Sequence, residues 1–150
     1  MESRQVVGWR ERIDLPDWGI EQMTAKLDTG ARGAALDVAS IEPLGDGRVR
    51  FQVILDRGKG ARTHPVEAEI AGETRVRSSN GITQRRLRVR TRVRLGSVLK
   101  EVEFSLVSRK RMIHRVLLGR IFLSPAFLID SGARFTLGKK RRRTTSSSAS

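Results

Sequence analysis

Between Arg86 and Leu95 every second residue is arginine: Arg86, Arg88, Arg90, Arg92 and Arg94 alternate with Leu87, Val89, Thr91, Val93 and Leu95. A period of two is the signature of a β-strand, whose successive side chains point to opposite faces. The segment therefore predicts a strand with one charged face and one inward face, and the rest of the chain must supply a sheet to cover the latter. Shorter patterns of the same kind recur. Met23, Ala25 and Leu27 alternate with Thr24, Lys26 and Asp28, and Val49, Phe51 and Val53 alternate with Arg50 and Gln52. A further strand follows Gly96-Ser97 through Val98, Val102, Phe104 and Leu106, and Val6-Val7-Gly8-Trp9 is a short apolar run. Turn chemistry separates these runs at Leu15-Pro16-Asp17-Trp18-Gly19, Gly45-Asp46-Gly47, Gly58-Lys59-Gly60 and Ser78-Ser79-Asn80-Gly81. The Asn-Gly pair in the last is a strong hairpin signal. The one helix predicted is short, from about Arg120 to Pro125. Many short strands with little helix predict an all-β, closed or sandwiched architecture.

The 150 residues are enough for one domain with a core of its own. The absence of cysteine removes disulfides and thiolate metal sites, and His64 and His114 lie far apart without zinc-ligand spacing. No metal and no cofactor are expected. No stretch approaches the roughly 20 apolar residues of a membrane span, and no secretory pattern opens the sequence, so a cytoplasmic protein is expected. The net charge is +14. Five of those charges (Lys139, Lys140, Arg141, Arg142 and Arg143) lie in a terminal segment without acids, which leaves +9 on residues 1–138. Residues 139–150 have no apolar periodicity and are expected to be a disordered basic tail after a domain spanning 1–138. Such a balance favours anionic partners, among them nucleic acid, the ribosome or an acidic peptide.

The chemistry-bearing motif is Asp28-Thr29-Gly30-Ala31, placed after an apolar strand. It gains weight from a second element, Val116-Leu117-Leu118-Gly119-Arg120, just before the predicted helix. With Val7-Gly8-Trp9-Arg10-Glu11, Leu15-Pro16, Lys26 to Arg32, Val76 to Gly81 and Phe127 to Asp130, these stretches resemble a bacterial family of retropepsin-like proteins. That family is often labelled ATP-dependent zinc proteases and is associated with the ligases that add glutamate to ribosomal protein S6. The resemblance covers roughly residues 6–138 and implies a retropepsin-like acid-protease closed barrel with one short helix. It implies a catalytic Asp28 on a loop tip with Thr29 and Gly30. Substrate contacts would come from Ala31 and from a flap made of Arg77, Ser78, Ser79, Asn80 and Gly81, with Leu117, Leu118, Gly119 and Arg120 as structural support beneath the loop. The family usually continues with Thr-Ser-Ala-Leu-His where this chain has Gly33, Ala34, Ala35, Leu36 and Asp37. The zinc and ATP labels find no support in the residues. There is no His-Glu-x-x-His and no glycine-rich loop ending in Lys-Ser/Thr.

Aspartic proteolysis uses two carboxylates sharing one proton about 3 Å apart, one as base towards water and one as acid towards the peptide carbonyl. A single Asp-Thr-Gly loop therefore predicts a homodimer with the site on its axis. Asp130-Ser131-Gly132-Ala133 repeats the motif, but no apolar-apolar-Gly element follows it, and it is read as a turn before a last strand, Arg134 to Leu137. The expected activity is that of an aspartic endopeptidase, with a peptide or protein substrate of acidic, glutamate-rich character. The five-arginine face is either a solvated face or the surface that binds those carboxylates. The competing expectation is a non-catalytic basic β-domain that binds RNA or the ribosome. With 5% aromatic residues and no tyrosine, the chain is poor in stacking platforms.

Overall fold

The computed structural model describes residues 4–56, 60–108 and 113–137. The predicted turn residues Gly58 and Lys59 and the basic tail 139–150 lie outside the described residues. Nine strands run in chain order among them: β1 (Gln5–Leu15), β2 (Ile20–Leu27), β3 (Ala34–Gly45), β4 (Arg48–Ile54), β5 (Thr63–Arg77), β6 (Thr83–Leu95), β7 (Val98–Val107), β8 (Val116–Leu118) and β9 (Phe127–Arg134). The helix α1 (Arg120–Leu123) is a single turn, and Pro16–Trp18 forms one 3-10 turn. No helix among the described residues is long and apolar enough to cross a membrane.

Strands β3, β4, β5, β6 and β7 close on themselves, because β3 pairs with both β4 and β7. From β3 the sheet continues outward as β8, β2, β1 and β9. A bridge between Asp14 and Arg94 ties β1 back to β6. The structure is thus the predicted all-β closed barrel with one short helix. Closure removes the exposed edges of those five strands and leaves β9 as the edge of the outer arm.

The period-two reading of β6 holds: Val89, Thr91, Val93 and Leu95 are buried, while Arg90, Arg92 and Arg94 are exposed. Met23, Ala25 and Leu27 of β2 face the same core, with Phe51 of β4 and Phe104 of β7 fully buried beside them. Each of these side chains apart from Ala25 contributes roughly 1.5–3 kcal/mol relative to leaving it exposed. Turns fall where expected. Asp46-Gly47 joins β3 to β4 with both residues at positive φ (53° and 73°), the conformation a two-residue hairpin requires.

One local prediction is overturned. Asp130 to Ala133 is not a turn before a strand but lies within β9, and Arg134 to Leu137 is not a strand beyond Arg134. The cause is parallel pairing with β1. Asp130 aligns with Gly8 and Arg134 with Arg10, so the longer stretch of β9 is taken up by a bulge. Gly8 permits the close approach: a Cβ there would lie 2.3 Å from the carbonyl oxygen of Ala133. Beyond Arg134 the chain turns at Phe135, whose φ is +52°.

Candidate active site

Leu27 of β2 and Leu118 of β8 are buried side by side in a parallel ladder, and this pair fixes where Asp28 emerges. The ladder runs one step into the loop, since the Asp28 N–H donates to the Leu118 carbonyl at 2.9 Å. Asp28 Oδ1 accepts from the Gly30 N–H at 2.9 Å, and the Ala31 N–H returns to the Asp28 carbonyl at 3.2 Å. The turn therefore positions the carboxylate through its own backbone. Asp28 Oδ2 lies 3.7 Å from Lys26 Nζ, and the side chain is 28% exposed. One carboxylate oxygen is engaged in shaping the loop, and the other faces a cation and solvent.

Beneath the loop passes the segment that the sequence singled out as support. The Arg120 N–H donates to the Ala31 carbonyl at 2.9 Å, the Ile121 N–H to the Arg32 carbonyl at 3.0 Å, and Arg120 Nη1 to the Thr29 carbonyl at 3.0 Å. Gly119 lies so close that a Cβ would sit 2.4 Å from the Gly33 oxygen and 2.5 Å from the Ala31 oxygen. Leu117, half-buried, pairs with Lys26 on one side and Ala35 on the other. Asp28, Thr29, Gly30 and Ala31 are thus brought onto Leu118, Gly119 and Arg120 in one unit.

Arg77 to Gly81 form the exposed end of the β5–β6 hairpin. This tip is held by its own hydrogen bonds: the Ser78 N–H to the Ile82 carbonyl at 2.9 Å, the Gly81 N–H to the Ser78 carbonyl at 3.0 Å, and the Ser78 hydroxyl to Asn80. Where the family usually has histidine, Asp37 lies buried in β3 and its carboxylate is paired with Arg115, the two side chains being 2% and 7% exposed. Burial lowers the Arg115 pKa from its usual value. Asp37 is therefore half of an internal ion pair beside β8. Asp130 lies on β9, with β1 between it and the strand that carries Asp28. Two strand spacings, roughly 10 Å, keep the two carboxylates of one chain from sharing a proton.

On the arginine face of β6, three of the five guanidinium groups stand beside carboxylates. Arg90 Nε bonds Glu103 at 3.0 Å, Arg88 Nη1 lies 3.6 Å from the same carboxylate, and Arg92 Nε bonds Asp17 at 3.1 Å. The Arg92 hydrogen bond holds the Asp17 carboxyl below its ordinary pKa. A different cationic group, which the sequence did not announce, adjoins Asp28. Arg10 of β1 is opposite Lys26 of β2 on one side and Arg134 of β9 on the other. The Arg10 guanidinium lies 5.5 Å from the Trp9 ring and 5.4 Å from the Phe135 ring, and Arg12 lies 4.1 Å from Phe135. Each residue is plain in the sequence, but the cross-strand register that unites them is not.

The closed barrel, the Asp-Thr-Gly loop and the glycine-lined strand beneath it define a retropepsin-like domain. Comparison with known proteins agrees. The sequence model described as retropepsin-like aspartic endopeptidase RimB matches residues 6–140, and the chain belongs to this RimB-like family. Among curated proteins it is 28% identical over 142 residues to one from Shewanella pealeana and 28% over 152 residues to one from Parasynechococcus marenigrum, both named "Probable alpha-L-glutamate ligase". The alignments cover 93% and 95% of this chain but 31% of each relative, so the chain spans about a third of their length. A crystal structure of a Legionella pneumophila protein of unknown function superposes with a TM-score of 0.70 at 26% identity, covering 91% of this chain and all of that one. The family description is that of an aspartic endopeptidase, without the zinc and ATP labels.

Proposed function

We propose that this chain is one half of an aspartic endopeptidase that works as a homodimer, with Asp28 of each copy meeting at the twofold axis. The observation that carries this reading is the Asp28 loop, with its carboxylate pinned by the Gly30 N–H and its backbone held on Gly119 and Arg120. One carboxylate takes the proton of an attacking water while its partner donates to the peptide carbonyl. A single loop cannot supply both roles, and Asp130 is too far away to be the second. The substrate we propose is an acidic peptide, glutamate-rich in composition. The charge of +14 would steer it to the protein, and the relatives named as glutamate ligases point to the same chemistry.

The test compares Asp28→Asn with Asp130→Asn on a library of acidic, neutral and basic peptides, with sedimentation at micromolar concentrations alongside. Asn keeps the shape but cannot share the proton, so hydrolysis is lost in the first variant and largely kept in the second. A monomer with full peptidase activity, or a well-folded but inactive Asp130 variant, refutes the twofold mechanism. RNA binding without cleavage of any peptide would favour a binding domain instead.

A further inference from the structure

Like charges placed directly opposite one another on neighbouring strands destabilise a sheet. Lys26, Arg10 and Arg134 nevertheless stand in one row across β2, β1 and β9. Among the described residues, Arg10, Arg12 and Arg134 have no carboxylate within ion-pair distance, and Lys26 has only Asp28 at 3.7 Å. The nearest acid in sequence, Glu11, is engaged elsewhere. It is buried, and its Oε2 accepts from the Gly8 N–H at 2.7 Å, the Thr136 N–H at 2.9 Å and the Thr136 hydroxyl at 2.7 Å.

The row is also built to hold its shape. Arg10 lies against the Trp9 and Phe135 rings, and Phe135 takes a positive φ of 52°, rare for a bulky residue, while its N–H bonds the Arg10 carbonyl at 2.8 Å. The Arg10 Nε is buried without a hydrogen-bond partner. His114, edge-on to Trp9 at 5.9 Å, reports the local potential: its pKa is lowered first by burial and then by the charges of Arg10 and Lys26.

We propose that Lys26, Arg10 and Arg134, with Arg12 two residues along β1, form the subsite that binds the carboxylate side chains of an acidic peptide next to the bond held at Asp28. The proposal rests on the endopeptidase reading above and names the residues that select its substrate. Distances support it. Lys26 is two residues from Asp28 and Arg10 one strand over, so Arg10 lies roughly 8 Å from Asp28 between Cα atoms, within reach of a side chain one or two residues from the scissile bond. Arg10 and Arg12 are spaced like alternate residues of any extended chain, roughly 7 Å apart, which matches carboxylates two residues apart in a bound peptide. Guanidinium groups engage carboxylates through paired N–H donors.

The chain holds two tryptophans, Trp9 and Trp18, so Trp18→Phe leaves Trp9 as a reporter inside the proposed subsite. In a Trp18→Phe, Asp28→Asn background, which keeps peptides intact, a tetraglutamate peptide is titrated against its tetraglutamine counterpart. The expected result is a saturable change in Trp9 emission with glutamate only. Arg10→Gln should raise the midpoint at least about tenfold, as for loss of a charge-assisted hydrogen bond. Arg90→Gln, whose wild-type side chain is already bonded to Glu103, should move it less than about twofold. Equal shifts in the two variants, or equal response to both peptides, overturn the subsite. If Arg10→Gln does not fold by circular dichroism, Arg134→Gln on the exposed edge strand makes the same comparison. Wild-type hydrolysis of a neutral peptide is measured separately. Asp28-dependent hydrolysis with no glutamate preference at Trp9 removes the subsite and leaves the enzyme. Glutamate binding at Trp9 with no hydrolysis of any peptide removes the enzyme and leaves the subsite.

Discussion

Gly119→Ala is the smallest change that should dismantle the Asp28 loop without touching the carboxylate. The new Cβ would lie 2.4 Å from the Gly33 oxygen and 2.5 Å from the Ala31 oxygen. Ordinary contact is about 3.5 Å, so something must move by roughly 1 Å, and both obstacles are backbone. Gly119 has an ordinary negative φ of −97°, so lack of space is the whole effect. Moving the loop strains or breaks the Arg120–Ala31 and Ile121–Arg32 hydrogen bonds, at 2.9 and 3.0 Å. Overpacking costs about 1–3 kcal/mol, and each lost hydrogen bond about 0.5–1.5 kcal/mol. The total is about 2–6 kcal/mol against a domain stability of about 5–15 kcal/mol. The variant should remain folded, with a urea midpoint lowered by on the order of 1.5 M for a slope of about 2 kcal/mol/M. Peptide hydrolysis should fall by about a hundredfold, as for other displacements of about 1 Å at a reacting centre. A variant within about 0.5 kcal/mol of wild type would refute the argument that the loop rests on this glycine.

Arg115→Met should cost about 3–5 kcal/mol by urea denaturation, because it strands the buried Asp37 carboxylate, whose Oδ1 already lacks a partner. Adding Asp37→Leu should restore most of that loss, and a single variant costing under about 1 kcal/mol would show that the pair carries no such burden. For His114 the folded pKa lies below the usual 6.5, through burial and then Arg10 and Lys26. The unfolded chain therefore binds the proton more readily, so stability is undiminished above pH 6.5 and falls as the pH drops from there through the folded pKa. His114→Gln should flatten that part of the acid limb when melting is compared at about pH 7.5 and about pH 5, and an unchanged slope would exclude His114 as the source.

The fold was legible where one residue decides its own face. The alternation in β6 and β2 predicts burial of Val89, Val93, Met23 and Leu27, as found. Asp46-Gly47 and Asn80-Gly81 mark the turns that join β3 to β4 and β5 to β6. Leu117-Leu118-Gly119, singled out through the family resemblance, packs against the Asp28 loop at Leu118 and Gly119. What escaped depends on distant partners. β9 could not be recognised as a parallel neighbour of β1 from its own residues, and Asp130-Ser131-Gly132 looks like a turn until the bulge opposite Gly8 is known. The buried Asp37–Arg115 pair joins β3 to the bend just before β8, and neither neighbourhood signals it.

Charge shows the same division most clearly. The arginines of β6 invite an anion-binding reading because they are regular, yet regularity says nothing about what stands across the strand. Arg90 is opposite Glu103, and Asp17 comes up from the turn after β1 to meet Arg92. Those guanidinium groups already have counter-charges, so an incoming anion would have to compete for them. Arg10 belongs to no pattern, but the topology sets it between Lys26, sixteen residues further along the chain, and Arg134, near the other end of the described residues. The sheet order β2–β1–β9 concentrates repulsion there instead of relieving it, at the strand that delivers Asp28. A bound carboxylate would relieve that repulsion, whereas at β6 it would displace one already present. The same physical rule thus separates the paired arginines of β6 from Arg10, where we propose that substrate binds.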